Sequence, residues 1–263
     1  MPLYGQPNQW QCGPFALKHA LLIQGVRAHE DTLARIAGST EELGTDEHQL
    51  ARAAAHHGAH LIITRRRTAT ATRRTLIRWL REQPVLLCVD QWDHWVAAVG
   101  CDDERVVTLD SHYDTVLRVD PWETVLRRVL YRKPWRLPIG AWSWYDLHAV
   151  RVRTPEWIRF RFTPAGADRL IAANLLTTWE DHLRCLRPLV TPAAATRLAE
   201  ALRAARPMLA AELQPALDPF ITVAEAFDLP ARPLRPDRVR DALFPATESR
   251  ADVLPLHPAE RRA

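Results

Sequence analysis

Cys12 stands in a setting that suits a nucleophile: Gln6-Pro-Asn-Gln-Trp-Gln-Cys12-Gly-Pro, followed at once by apolar residues at helical spacing. Acyl transfer needs a thiolate, a base within reach, and donors for the oxyanion that forms as a carbonyl is attacked. A thiol at a helix N-terminus is eased toward its anion by the helix dipole and by exposed N–H groups. Gly13 lets the backbone come close to a substrate, and Pro14 fits a first helical turn, where its missing N–H costs nothing. The base is found downstream. His94 opens the run His-Trp-Val-Ala-Ala-Val-Gly, so a strand can anchor a histidine at its edge. Asp110 closes the next apolar run, and a hairpin through Asp102-Asp103-Glu104 brings it beside His94 to orient the imidazole. A slip of one residue in that pairing would turn Asp110 to the other face and leave Asp114 as the substitute.

The elements that must position these residues follow from periodicity and from Gly and Pro punctuation. Helices are predicted over 12–24, 30–37, 49–57 (capped by Thr45 or Asp46), 72–82 and 121–131. Strands are predicted over 61–64, 85–89, 94–100, 106–110, 147–152 and 158–162. Helices first and an antiparallel sheet after make residues 1–153 an α+β unit. Residues 154–263 form a second, mostly helical region, rich in Ala, Leu and Arg beyond about 164. Helices are predicted there over 165–186, 192–205 and 207–217, with Pro-rich irregular stretches at 229–236 and 254–258.

Composition narrows the function classes. The 47% hydrophobic and 25% charged shares are those of a globular protein. Only Lys18 and Lys133 are lysines among 35 basic residues, a bias of genome composition rather than a guanidinium-dependent function. A net charge of +4 does not imply a nucleic-acid partner. No run approaches the ~18 apolar residues a membrane span requires, and the amino terminus lacks a signal-peptide pattern. The four cysteines have neither metal-ligand spacing nor the number for a disulfide framework. A soluble, reduced, cytoplasmic protein without metal or cofactor is the expectation, with signal-less secretion left open.

The segment from Gln6 to Pro14 resembles the papain-like cysteine peptidases, in which a glutamine precedes the nucleophile by six positions. Within them it looks most like the peptidase domains that cleave double-glycine leaders from bacteriocin precursors, in a standalone form. Gly44-Thr45, Gln49-Leu50, Ala54, Gly58, His94-Trp95-Val96 and Leu109-Asp110 add to the likeness, which covers roughly residues 1–153. The resemblance implies a papain-like fold: a helical lobe with the nucleophile at a helix start, and an antiparallel lobe carrying His and Asp. It implies Cys12 as nucleophile, His94 as base, Asp110 as orienter, and Gln6 with the Cys12 N–H as oxyanion hole. A bacterial thiol protease acting on a peptide or protein is the corresponding function. The family's transporter-borne members carry Asp before the cysteine, where this chain has Gln11, and are fused to membrane spans and a nucleotide-binding domain.

The same thiol with an amine acceptor would make an acyltransferase or transpeptidase, and a catalytically inactive recognition module is the reading from another class. The helical remainder would cap the cleft, bind a partner or dimerise. Cys88, Cys101 and Cys185 read as core, and His56, His57 and His60 as a solvated helix end rather than a metal set. Arg65-Arg66-Arg67 with Arg73-Arg74 reads as a solvated surface flanking a helix. Trp92 and Trp95 either line the cleft or pack under the hairpin, and Trp122, Trp135, Trp142 and Trp144 read as core or cover.

Overall fold

The computed structural model describes residue 3 and residues 5–133, 142–154, 160–191 and 194–244. Its centre is a sheet whose middle strands are too apolar to face water on either side. β2 (Val85–Val89) is buried at every residue and β3 (His94–Cys101) at all but its two ends, as in strands covered on both faces. Around them run β1 (Ala59–Arg66), β4 (Arg105–Leu109), β5 (Leu117–Pro121), β6 (Leu130–Lys133) and β7 (Trp142–Val152). All pairings are antiparallel in the order β1-β7-β2-β3-β4-β5, with β6 also on β7.

Alternation along β2 and β3 sorts the two faces. Leu86, Cys88, Trp95 and Ala97 join the core around α1 (Cys12–Ile23). Val85, Leu87, Val96 and Ala98 face α4 (Ala69–Leu80) and α5 (Trp122–Val129). Every residue of α1 is buried, as expected of a helix apolar all round. Its one lysine, Lys18, pairs with Glu30 at 2.9 Å. Glu30 opens α2 (Glu30–Ala37), and α3 (Glu47–His56) starts at a capping box in which Asp46 and Gln49 exchange hydrogen bonds. Asp46, not Thr45, is therefore the cap.

One irregularity decides the chemistry. Cys101 lies opposite Val106, but after a bulge between Ala98 and Gly100 the register shifts, so that Ala97 lies opposite Leu109. Continued one step, this register sets Asp110 beside Val96, on the parity of His94. Without the extra residue Asp110 would fall opposite Ala97 and point the other way. Gly100 sits in the bulge because nothing larger fits: a Cβ there would lie 1.9 Å from the Phe162 carbonyl oxygen.

The helices-first, antiparallel-after α+β reading is what forms, with differences in detail. β1 spans eight residues because it pairs with β7 along its whole length. α4 begins at Ala69, three residues earlier than expected, because the Thr68 side chain accepts from the Ala71 N–H and caps it. The expected 121–131 helix ends at Val129 and the chain turns straight into β6. Phe160 and Phe162 are buried, with Arg161 exposed between them, but they form no strand; residues 158–159 lie outside the described residues, as do Trp135 and the 254–258 stretch.

The predicted 165–186 helix breaks into α6 (Pro164–Ala172) and α7 (Trp179–Leu186), with Asn174 in the left-handed region between them. Residues 207–217 form only short 3₁₀ turns, because Pro207 and Pro215 interrupt the α ladder. α8 (Leu198–Ala205) keeps the second half of its predicted helix, while α9 (Asp218–Ala226) and α10 (Pro236–Leu243) were not foreseen. The apolar cluster around α1 continues without a gap through Phe160, Phe162, Trp179, Phe227 and Leu243. Among the described residues no helix is long and apolar enough to cross a membrane.

Candidate active site

Cys12 is the first residue of α1 and 5% exposed, at the floor of a cleft of about 530 Å³ that Gln6, His94, Trp95 and Arg128 also line. A 3₁₀ turn, Gln9–Gln11, leads into the helix. Gly13 serves a purpose other than the one expected. A Cβ there would meet the Thr45 Cβ at 2.9 Å and Leu50 at 3.3 Å, so the glycine seats the first turn against its own fold rather than a substrate. Trp95 fixes the same contact from the sheet side, donating its indole N–H to the Thr45 carbonyl at 2.8 Å.

His94 Nε2 bonds Asp110 Oδ1 at 2.7 Å. With Nε2 so occupied, Nδ1 is the nitrogen left for the sulfur. Burial works against a charged imidazole here, but hydrogen bonds to Asp110 and Cys12, and the charge of both, overcome it and raise His94 to about 9. Asp110 is fully buried, and burial would push its carboxyl up. The hydrogen bond and charge of His94, with Arg128, outweigh that and hold it below the usual carboxylate range.

Arg128 on α5 was not foreseen. Its guanidinium donates to Asp110 Oδ2 at 3.1 Å and to Asp90 Oδ2 at 2.7 Å. A sequence signal existed. Arg128 falls three residues after Val125 and beside Val129, at the edge of the stripe that α5 buries.

Asp90, Gln91 and Trp92, three successive non-glycine residues between β2 and β3, have φ of 55°, 66° and 72°. Each such residue costs about 1–3 kcal/mol and persists only where its surroundings hold it. Here they do. Asp90 is bonded to Arg128 through backbone and side chain, and Gln91 bridges the Leu130 carbonyl and the Arg132 N–H. The Trp92 ring, 43% exposed, stacks on Tyr131 at 4.1 Å and meets Trp144 edge-on. This turn brings the chain back to His94 at the cleft, with Trp92 on its wall and Trp95 packed beneath.

Gln6 lies in the same cleft. Its Oε1 accepts from the Ser111 hydroxyl at 2.7 Å, and its Nε2 donates to the Asn8 carbonyl at 2.8 Å and, less closely, to Gln9 at 3.3 Å. Asp114, the substitute for Asp110, has no hydrogen bond to His94. Burial pushes the Cys88 thiol well up and Cys101 to about 11, which keeps both protonated and inert. The arginine run is a solvated surface, as expected, with its side chains ordered: Arg65, 58% exposed, pairs with Asp146 and covers Trp144, Arg67 covers Trp142, and Arg73 covers Trp122.

No family model matches the sequence, and no curated protein does. Solved structures do. Its structural neighbours are C39 peptidase domains of transporters. One is the peptidase domain of Streptococcus ComA, a bifunctional ABC transporter of a quorum-sensing pathway, 14% identical with a TM-score of 0.41; the match covers 56% of this chain and 97% of that one. A double-glycine motif protease from an AMS/PCAT transporter, solved with its leader peptide, is 15% identical at a TM-score of 0.40, covering 56% and 90%. The C39-like domain of a toxin secretion ATP-binding protein from Vibrio parahaemolyticus is 12% identical at 0.39, covering 57% and 100%. What the site can do is set by its own geometry.

Proposed function

We propose that this protein is a cysteine-dependent hydrolase of peptide or amide bonds, with Cys12 as nucleophile. The observation that carries the reading is His94 held between a fully buried carboxylate and the Cys12 side chain. His94 takes the Cys12 proton, giving a thiolate–imidazolium pair. The thiolate attacks the carbonyl carbon: a C–S bond forms and the C=O π pair moves to oxygen. Gln6 and the Cys12 N–H serve as donors to that oxyanion. Collapse breaks the C–N bond, and His94 gives its proton to the departing amine. Water, deprotonated by the same imidazole, then attacks the thioester and releases a carboxylic acid and the thiol. Asp110 keeps the ring in the productive tautomer throughout.

Labelling with an electrophile and mapping the adduct tests the assignment. Modification is expected at Cys12 and to be slowed by roughly 10²-fold in His94→Ala, the size of a lost general base. Labelling spread over Cys88, Cys101 and Cys185, or indifferent to His94, would remove the mechanism.

A further inference from the structure

Acyl transfer needs its base and its oxyanion donor on two sides of one carbonyl carbon. Here they come from different parts of the chain, His94 from β3 and Gln6 from the segment before α1. Resting on the hydrolase reading, we propose that Ser111 is a positioning residue for the oxyanion hole. The Asp110-Ser111 dipeptide then sets the base and the oxyanion donor together.

The geometry is reciprocal. Ser111 is 2% exposed and donates its hydroxyl to Gln6 Oε1 at 2.7 Å, while its carbonyl accepts from the Gln6 N–H at 2.8 Å. Gly5 permits this approach: a Cβ there would already lie 3.3 Å from the Ser111 oxygen. An amide whose oxygen is held must turn its nitrogen the other way. One Nε2 hydrogen is then fixed on the Asn8 carbonyl, and the second has only a 3.3 Å contact with Gln9. That loosely held hydrogen is the one an oxyanion can recruit at small cost. One residue upstream, Asp110 Oδ1 holds His94. The end of β4 therefore ties both halves of the machinery to a single rigid point, and Ser111 touches neither thiol nor substrate.

Two probes separate this role from a merely structural one. A peptide aldehyde adds the Cys12 thiolate to its carbonyl, forming a C–S bond and an oxygen anion that the hole must hold. Iodoacetamide alkylates the same sulfur by displacing iodide and develops no oxyanion. Ser111→Ala is expected to weaken aldehyde affinity by roughly ten-fold, short of the 10²–10³ typical of deleting a donor outright. The iodoacetamide rate at Cys12 should stay within about two-fold of wild type. Gln6→Ala should weaken the aldehyde at least as much, and adding Ser111→Ala to it should cost nothing further, since the two act as one unit. Ser111→Thr, which keeps the hydroxyl, should restore aldehyde affinity.

Unchanged aldehyde affinity in Ser111→Ala, a parallel loss of both reactivities, or independent effects in the double variant would each overturn the positioning role. Such results leave the hydrolase reading standing if wild-type Cys12 still reacts in a His94-dependent way. A wild-type protein whose Cys12 binds no aldehyde would remove both.

Discussion

At the scale of single residues, the site is a chain of partners: Asp90, Arg128, Asp110, His94, Cys12. Each link has a measurable consequence. In the proposed mechanism, with His94 raised to about 9, the imidazolium that would protonate the leaving amine is lost only above that pH, so turnover should fall on a basic limb near 9. Asp110→Asn removes a hydrogen bond and a charge that sustain this value, and the limb should move toward the ordinary histidine range near 6.5, with a drop in kcat. A pH–rate profile of both proteins on one hydrolysed peptide decides it. Arg128→Ala leaves the buried Asp110 with one partner fewer and frees Asp90. A loss of about 3 kcal/mol of stability is expected in denaturant unfolding, the size seen when one member of a buried pair is deleted.

Among the elements, what the sequence discloses depends on whether the signal is local. Cys12 at the head of α1, His94 at the head of β3 and the capping box at Asp46 are all visible as short motifs. The α+β class follows from their order. The Ala98–Gly100 bulge is not visible, because Val-Gly-Cys reads as ordinary strand and only the Phe162 carbonyl explains the glycine. Asn174 and the prolines at 207 and 215 broke helices that apolar periodicity alone would have continued. Arg128 was half legible, placed by α5 periodicity but given meaning only by a carboxylate on another strand. Ser111 depends on a contact 105 residues away in the chain. Gly100→Ala should test the bulge: backbone must move, and a destabilisation of roughly 3–5 kcal/mol is expected from thermal or denaturant unfolding.

Across the molecule, the two compositional halves share one interior. Phe160 donates its N–H to the Ile23 carbonyl, Arg105 pairs with Asp168 at 2.7 Å, and α6 lies against β4 and β5. Calorimetry of the whole chain should therefore give a single cooperative transition, and a fragment ending at residue 153 should aggregate. Stability should also peak near pH 6.5. His94 binds its proton more tightly folded than unfolded, so its contribution is complete below about 6.5 and is lost as pH rises through about 9. His19 is the opposite case. Burial and the charge of Lys18 lower it to about 3, and neither ring nitrogen finds a partner among the described residues. Its contribution is present above about 6.5 and is lost as pH falls toward 3. His19→Leu should flatten the acid limb of a Tm–pH curve and leave the basic limb in place.

The extra residue at the Ala98–Gly100 bulge makes the hairpin a counting device. A side-chain substitution between 94 and 110 leaves this count intact, but a one-residue deletion there would swap odd for even. A chain shortened at Val99 could keep its core and sheet while aiming Asp110 away from His94, an error that no change of side chain elsewhere would repair. Two compensating deletions, or none, are the arithmetic this hairpin permits.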